Sequence, residues 1–154
     1  MSKSDQPTGF QPDPQVIRWR LHLASPIHKV YQALSTDEGR ASFWAESAIE
    51  QDGVIHFVFP NGAEWKGKIL QVDPPSIFSL HYYGGSVTSF NLEEDGKGGT
   101  NLTLTDVGVP DAYRSEVIAG WVSVLMNLKA AVDFGVDLRI HDHDRNWNHG
   151  FVEN

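Results

Sequence analysis

The sequence predicts an α+β domain in which a curved antiparallel sheet of about six to seven strands, with two short helices, packs over one long C-terminal helix. Three observations predict it. From Ala45 to Val107 apolar residues recur with a period of two, cut into segments by turn signals. After Pro110 the period becomes helical and no further proline follows. A single strand pattern and two short helical patterns precede the meander. The 154 residues match one ordinary domain, and a content of 40% apolar and 21% charged residues suits a single globular core.

The first fifteen residues hold three prolines and mostly polar neighbours, too little apolar area to offset the entropy of ordering them, and are expected to form a loose arm. From Val16 the pattern alternates strictly. Ile17, Trp19, Leu21 and Leu23 share one face and Arg18, Arg20 and His22 the other, as in a half-buried strand. Ser25-Pro26 reads as an N-cap with proline at the first helical position, followed by Ile27, Val30, Tyr31 and Leu34 at helical spacing. Thr36 caps a second small helix with Asp37 and Glu38 in its first turn, running towards Phe43 and Trp44.

Asp52-Gly53, Asn61-Gly62, Pro74-Pro75, Gly84-Gly85 and the run from Glu93 to Gly99 then punctuate the meander. The intervening strands are 46–51, 54–59, 64–72, 77–83, 86–92 and 100–107. Pro110-Asp111 opens a helix of about 27 residues, roughly 40 Å long. Its stripe is Val117, Trp121, Val124, Leu125, Leu128 and Val132. The segment 139–154 carries Ile140, Trp147, Phe151 and Val152, too apolar for a free tail, and is expected to fold back on the domain of 16–138 and close one end of its interior.

Composition narrows the function classes. The net charge is −8, from 12 basic and 20 acidic residues, and Lys66 with Lys68 forms no more than a solvated strand face, so nucleic acid is not an expected partner. The start, MSKSDQPTGFQPDP, lacks the apolar stretch of a signal peptide, and no run reads as a bilayer span; a cytoplasmic protein with no membrane partner is expected. Cysteine is absent, which removes disulfides, thiolate metal sites and cysteine nucleophiles.

The stretches Ser25-Pro-Ile-His-Lys-Val-Tyr-Gln-Ala-Leu-Ser35, Phe43-Trp44, Glu64-Trp-Lys-Gly-Lys-Ile-Leu-Gln-Val-Asp-Pro-Pro75 and Gly120-Trp-Val-Ser-Val-Leu-Met-Asn-Leu-Lys129, in this order and spacing, resemble the helix-grip fold. The resemblance spans residues 16 to 138. Within the START-like, polyketide-cyclase-like superfamily (SRPBCC), it is nearest the branch named after the activator of heat-shock-protein-ninety ATPase. What the resemblance implies is a cavity between sheet and long helix that receives an apolar or aromatic small molecule, commonly without chemistry. Eukaryotic activators carry a chaperone-binding domain in front, where this sequence has only the fifteen-residue arm.

Strand alternation nominates the walls of such a cavity: Trp44, Phe57, Trp65, Ile69, Tyr82, Phe90, Trp121 and Leu125. Phe78 and Leu80 face the same way. On the strand after them either Thr88, Phe90 and Leu92 or Val87, Ser89 and Asn91 point inward. Periodicity is satisfied equally by an open cavity and by a core these rings fill. No catalytic residue and no cofactor is nominated. Of the seven histidines His22 alternates outward, His28 lies on the first short helix and His81 sits opposite the inward face of its strand, while His56 shares a face with Val58 and could point inward, although a lone histidine there is more often a hydrogen-bonded structural residue. His141, His143 and His149 with Asp142 and Asp144 offer metal donors in no recognised ligand set, and no metal is expected. Glu46, Glu50, Glu64 and Asp106 are the carboxylates that could approach the interior, where burial would raise their pKa. Three function classes remain: a non-catalytic binder of a small apolar or aromatic molecule; a chaperone-associated interaction module using the outer sheet face; and a cyclase, isomerase or hydrolase. A monomer and a homodimer are equally compatible with the sequence.

Overall fold

The computed structural model describes residues 11–153. Most of the expected arm lies outside the described residues; within the remainder, the Gln11 side chain accepts from Arg18 N at 2.8 Å and donates to Arg18 O. Strand β1 (Val16–Leu23) leads into helices α1 (Ile27–Ser35) and α2 (Asp37–Ala41). The meander is β2 (Ser47–Gln51), β3 (Val54–Val58), β4 (Glu64–Asp73), β5 (Ile77–His81), β6 (Val87–Glu94) and β7 (Thr100–Val107), and helix α3 (Arg114–Phe134) follows. The seven strands form one antiparallel sheet in the order β1-β7-β6-β5-β4-β3-β2. Six consecutive strands pair with their sequence neighbours, and β1 joins by pairing with β7, so no strand is inserted between others.

The inner face follows from alternation. Ile55 and Phe57, Phe78 and Leu80, Thr88, Phe90 and Leu92, and Leu102, Leu104 and Asp106 are all buried beneath the helices. The open alternative on β6 is thus settled in favour of Thr88, Phe90 and Leu92. Trp65, Gly67 and Ile69 occupy the inward positions of β4, between exposed Lys66 and Lys68. His56 does not take the inward position that the sequence left open to it. Pairing of Phe57 with Trp65 commits Phe57 to the inner face, so His56 stands on the outer one, 3.4 Å from Glu64 Oε1.

Two helical details also differ. Ser25 is not the cap of α1, whose N-cap is Pro26. The Ser25 hydroxyl instead donates 2.7 Å to Asp133 Oδ1, tying the start of α1 to the end of α3. Helix α3 has 21 residues rather than about 27, because Asp111–Tyr113 forms a separate 3-10 turn and Gly135, at φ 66°, ends the helix in the left-handed region. Its length is about 32 Å. By length and mean hydropathy this helix alone, among the described residues, reaches the measure of a bilayer span. Trp121, Val124, Leu125, Leu128 and Val132 are nevertheless packed into the core, which accounts for its hydropathy.

Candidate functional site

Aromatic rings from β3, β4, β6, α3 and the connections beside them form one connected network between sheet and helix. Trp44, entering from the α2–β2 connection, is fully buried with ring centroids 4.9 Å from Phe57, 5.4 Å from Phe90, 5.6 Å from Tyr82 and 5.9 Å from Trp121. Its indole Nε1 donates to the Tyr82 hydroxyl at 2.9 Å. Burial pushes the Tyr82 phenol far above its ordinary pKa, so this oxygen is a neutral acceptor at any physiological pH. Beyond Tyr82 the network continues through Trp65 at 5.3 Å, Phe59 and Tyr83.

Asp106 anchors α3 from below. It accepts from Trp121 Nε1 at 2.9 Å through one oxygen and from Thr88 Oγ1 at 2.9 Å through the other. Burial raises its pKa, against the hydrogen bonds that favour the ionised form. A buried polar triad of this kind fixes the rotation of the helix over the sheet, because the indole N–H has one acceptor.

At the far end of the network the rings part around a cavity of about 440 Å³. Its walls are Phe59, Ala63 and Trp65 from the β3–β4 hairpin, Tyr82 and Tyr83, Val117, Gly120, Trp121 and Val124 from α3, and Trp147 from the tail; Asn61, Glu116 and Asn148 supply polar groups. The buried Trp65 Nε1 has no hydrogen-bond partner. A wider depression of about 590 Å³ between α1, α2 and the end of α3, edged by Lys29, Glu38 and Asp137, is more open to solvent.

The tail crosses the molecule as a strap. The Arg139 guanidinium, buried, donates to Ala45 O at 2.8 Å and Ala41 O at 2.7 Å and holds Asp137 at 2.9 Å. His141 follows with one ring nitrogen 2.7 Å from Glu46 Oε1 and the other 2.7 Å from Asp137 Oδ2. Both partners are carboxylates, so the protonated ring donates through both nitrogens, and the hydrogen bonds to Asp137 and Glu46 raise the imidazole pKa. His143 then reaches Pro60 O at 3.0 Å, and Asn148 Oδ1 accepts from Asn61 Nδ2 at 3.2 Å. Trp147 lies against α3 at Gly120, where a Cβ would stand 3.0 Å from the indole; a larger residue there would push the ring away.

Of the residues nominated from the sequence, Trp65, Tyr82 and Trp121 line this cavity. Trp44, Phe57, Phe90 and Leu125 are buried behind it in the packed part of the core, and Ile69 lies partly buried further along β4. Phe59, Tyr83, Glu116 and Trp147 were not nominated. Phe59 and Tyr83 fall where period-two order gives way to turns, and only the apolar character of the tail pointed to Trp147. The remaining carboxylates stand apart: Glu46 serves His141, Glu50 is exposed, and Glu64 lies on the outer face. Among the described residues no three His, Asp or Glu side chains converge as a metal site.

The sequence profile of the activator of Hsp90 ATPase homolog 1-like proteins matches residues 24–133. No curated protein matches the sequence. Among solved structures, the fold is similar to the Aha1 dimer of Colwellia psychrerythraea, determined in solution, with 24% identity, a TM-score of 0.70, and 78% of this chain and 97% of that one covered. It is also similar to a protein of Staphylococcus saprophyticus, at 24% identity and a TM-score of 0.69 over 80% of this chain and 96% of that one. A third is DynU16, a putative protein of the dynemicin biosynthetic locus, at 19% identity and a TM-score of 0.67 over 82% of this chain and 49% of that one.

Proposed function

The chain belongs to the activator of Hsp90 ATPase homolog 1-like family, and from that premise we propose that it is a non-catalytic binding domain for a small apolar or aromatic molecule held between sheet and helix. One observation carries the reading: a cavity of about 440 Å³ walled by six aromatic side chains, large enough for a ligand of one or two rings. The chemistry of the lining supports binding rather than turnover. Glu116 and the phenols of Tyr82 and Tyr83 are the ionisable groups around the cavity, and Asp106, the buried carboxyl, stands behind Trp121. The test is the fluorescence of N-phenyl-1-naphthylamine, a neutral probe that brightens in apolar surroundings. The native protein should take it up, and Val117→Trp, which fills the cavity from α3, should abolish uptake with little change in melting temperature. Equal uptake by the filled variant would refute the reading.

The family description and the Aha1 neighbour favour a second reading, a chaperone-associated module, with a homodimer as in the solution structure of that neighbour. Here the outer sheet face would be the contact surface. Reproducible co-purification of an Hsp90-type chaperone, lost on charge reversal at Lys66 and Lys68, is its requirement.

A further inference from the structure

Resting on the binding reading above, we propose that the ligand of the aromatic cavity is an organic cation, a quaternary or protonated ammonium group on an apolar body. The argument is a census of charge. Around the cavity stand six aromatic rings and one charged side chain, Glu116, and none of the lining residues is basic. Aromatic faces carry negative quadrupole charge and attract a desolvated cation, while they offer an anion nothing.

The rings of Trp65, Tyr82, Tyr83 and Trp121 are inclined to one another rather than stacked in parallel. Trp65 meets Tyr82 at 81° and Tyr83 at 55°, and Tyr82 meets Trp121 at 36°. The two arginines that flank the lining residues in sequence are occupied elsewhere. Arg114, which opens α3, donates to Asp13 O at 2.9 Å, and Arg145 in the tail is paired with Asp142 at 2.6 Å. The N-terminus of α3 would by itself favour an anion, but Glu116 lies in that first turn and offsets it. Asp106 accepts the Trp121 N–H, which makes that ring a better partner for positive charge. Trp65 Nε1 is buried without an acceptor, a demand that an oxygen on the ligand's apolar body would meet and that leaves its charged group free to be a cation. The net charge of −8 draws cations towards the whole surface.

The experiment compares benzyltrimethylammonium with neopentylbenzene, its uncharged isostere, as displacers of N-phenyl-1-naphthylamine from the native protein and from Glu116→Gln. The cation should displace the probe about tenfold more effectively than the isostere. In Glu116→Gln that advantage should shrink several-fold while neopentylbenzene is unaffected, and Glu116→Asp should restore part of it. Equal displacement by the two compounds, or displacement by the isostere alone, overturns the cation assignment and leaves the binding reading standing. A protein that takes up neither the probe nor either compound overturns both.

Discussion

Trp44 and Trp65 belong to one aromatic network, yet the first is sealed and the second borders a void. Trp44 has rings on five sides and a hydrogen bond for its indole N–H. Trp65 has Phe59, Tyr82 and Tyr83, and its N–H has no partner. The difference lies in what covers each. Over Trp44 the sheet, the α2–β2 connection and the middle of α3 converge, three elements fixed by main-chain hydrogen bonds and by the Asp106 anchor. Over Trp65 the cover is the first turns of α3 and a tail held by side chains. Close packing follows where rigid layers meet, and space remains where one layer is a strap.

The largest effect should come from breaking the sealed end. Trp44→Ala removes a fully buried indole, and with it the partner of Tyr82, and should lower stability by about 3–5 kcal/mol in denaturant unfolding. A loss below about 1 kcal/mol would mean that this end is as loosely filled as the other.

How much of this contrast could be read from the sequence follows the same division. Trp65, Gly67 and Ile69 inward on β4, Phe78 and Leu80 on β5, and the stripe on α3 from Trp121 to Val132 were legible because alternation and helical period each act through near neighbours. The face of His56 stays open in the sequence because it depends on the pairing of Phe57 with Trp65, which the strand alone does not encode. The void itself was not legible. Its walls include Tyr83, in a 3-10 turn beside Tyr82 where both rings reach the interior, and Trp147, brought there by Arg139 and His143 contacts across more than eighty residues. Periodicity says which way a side chain points and nothing about whether space remains in front of it.

A smaller effect should follow from loosening the open end. Arg139→Ala leaves the carbonyls of Ala41 and Ala45 without their donor, a loss of about 1–3 kcal/mol. The unequal response sharpens the comparison: amide exchange should rise in the strap from residue 139 onward and at the β3–β4 hairpin it touches, while β6 and β7 stay protected. Uniform loss of protection across the sheet would show that the strap belongs to the same cooperative unit as the core.

The smallest effect, and the most specific, is the titration of His141. Its imidazolium donates to Glu46 and Asp137, so its pKa is raised above the ordinary 6.5; the stability it contributes is complete below that value and is lost as pH rises through the higher value of the folded state. Asp137 works in the opposite sense. Burial opposes its ionisation, but hydrogen bonds from Arg139 and His141 hold its pKa at about 2, so its contribution is present above the ordinary 3.8 and is lost as pH falls towards 2. The strap is therefore held most firmly between about 3.8 and 6.5. Because both groups are partly exposed, the global melting temperature should move little. The strap itself should respond: exchange at residues 139–149, corrected for intrinsic rate, should increase as pH is raised beyond the His141 transition, and His141→Gln should abolish that increase. A variant that keeps the full pH dependence would remove His141 from the latch.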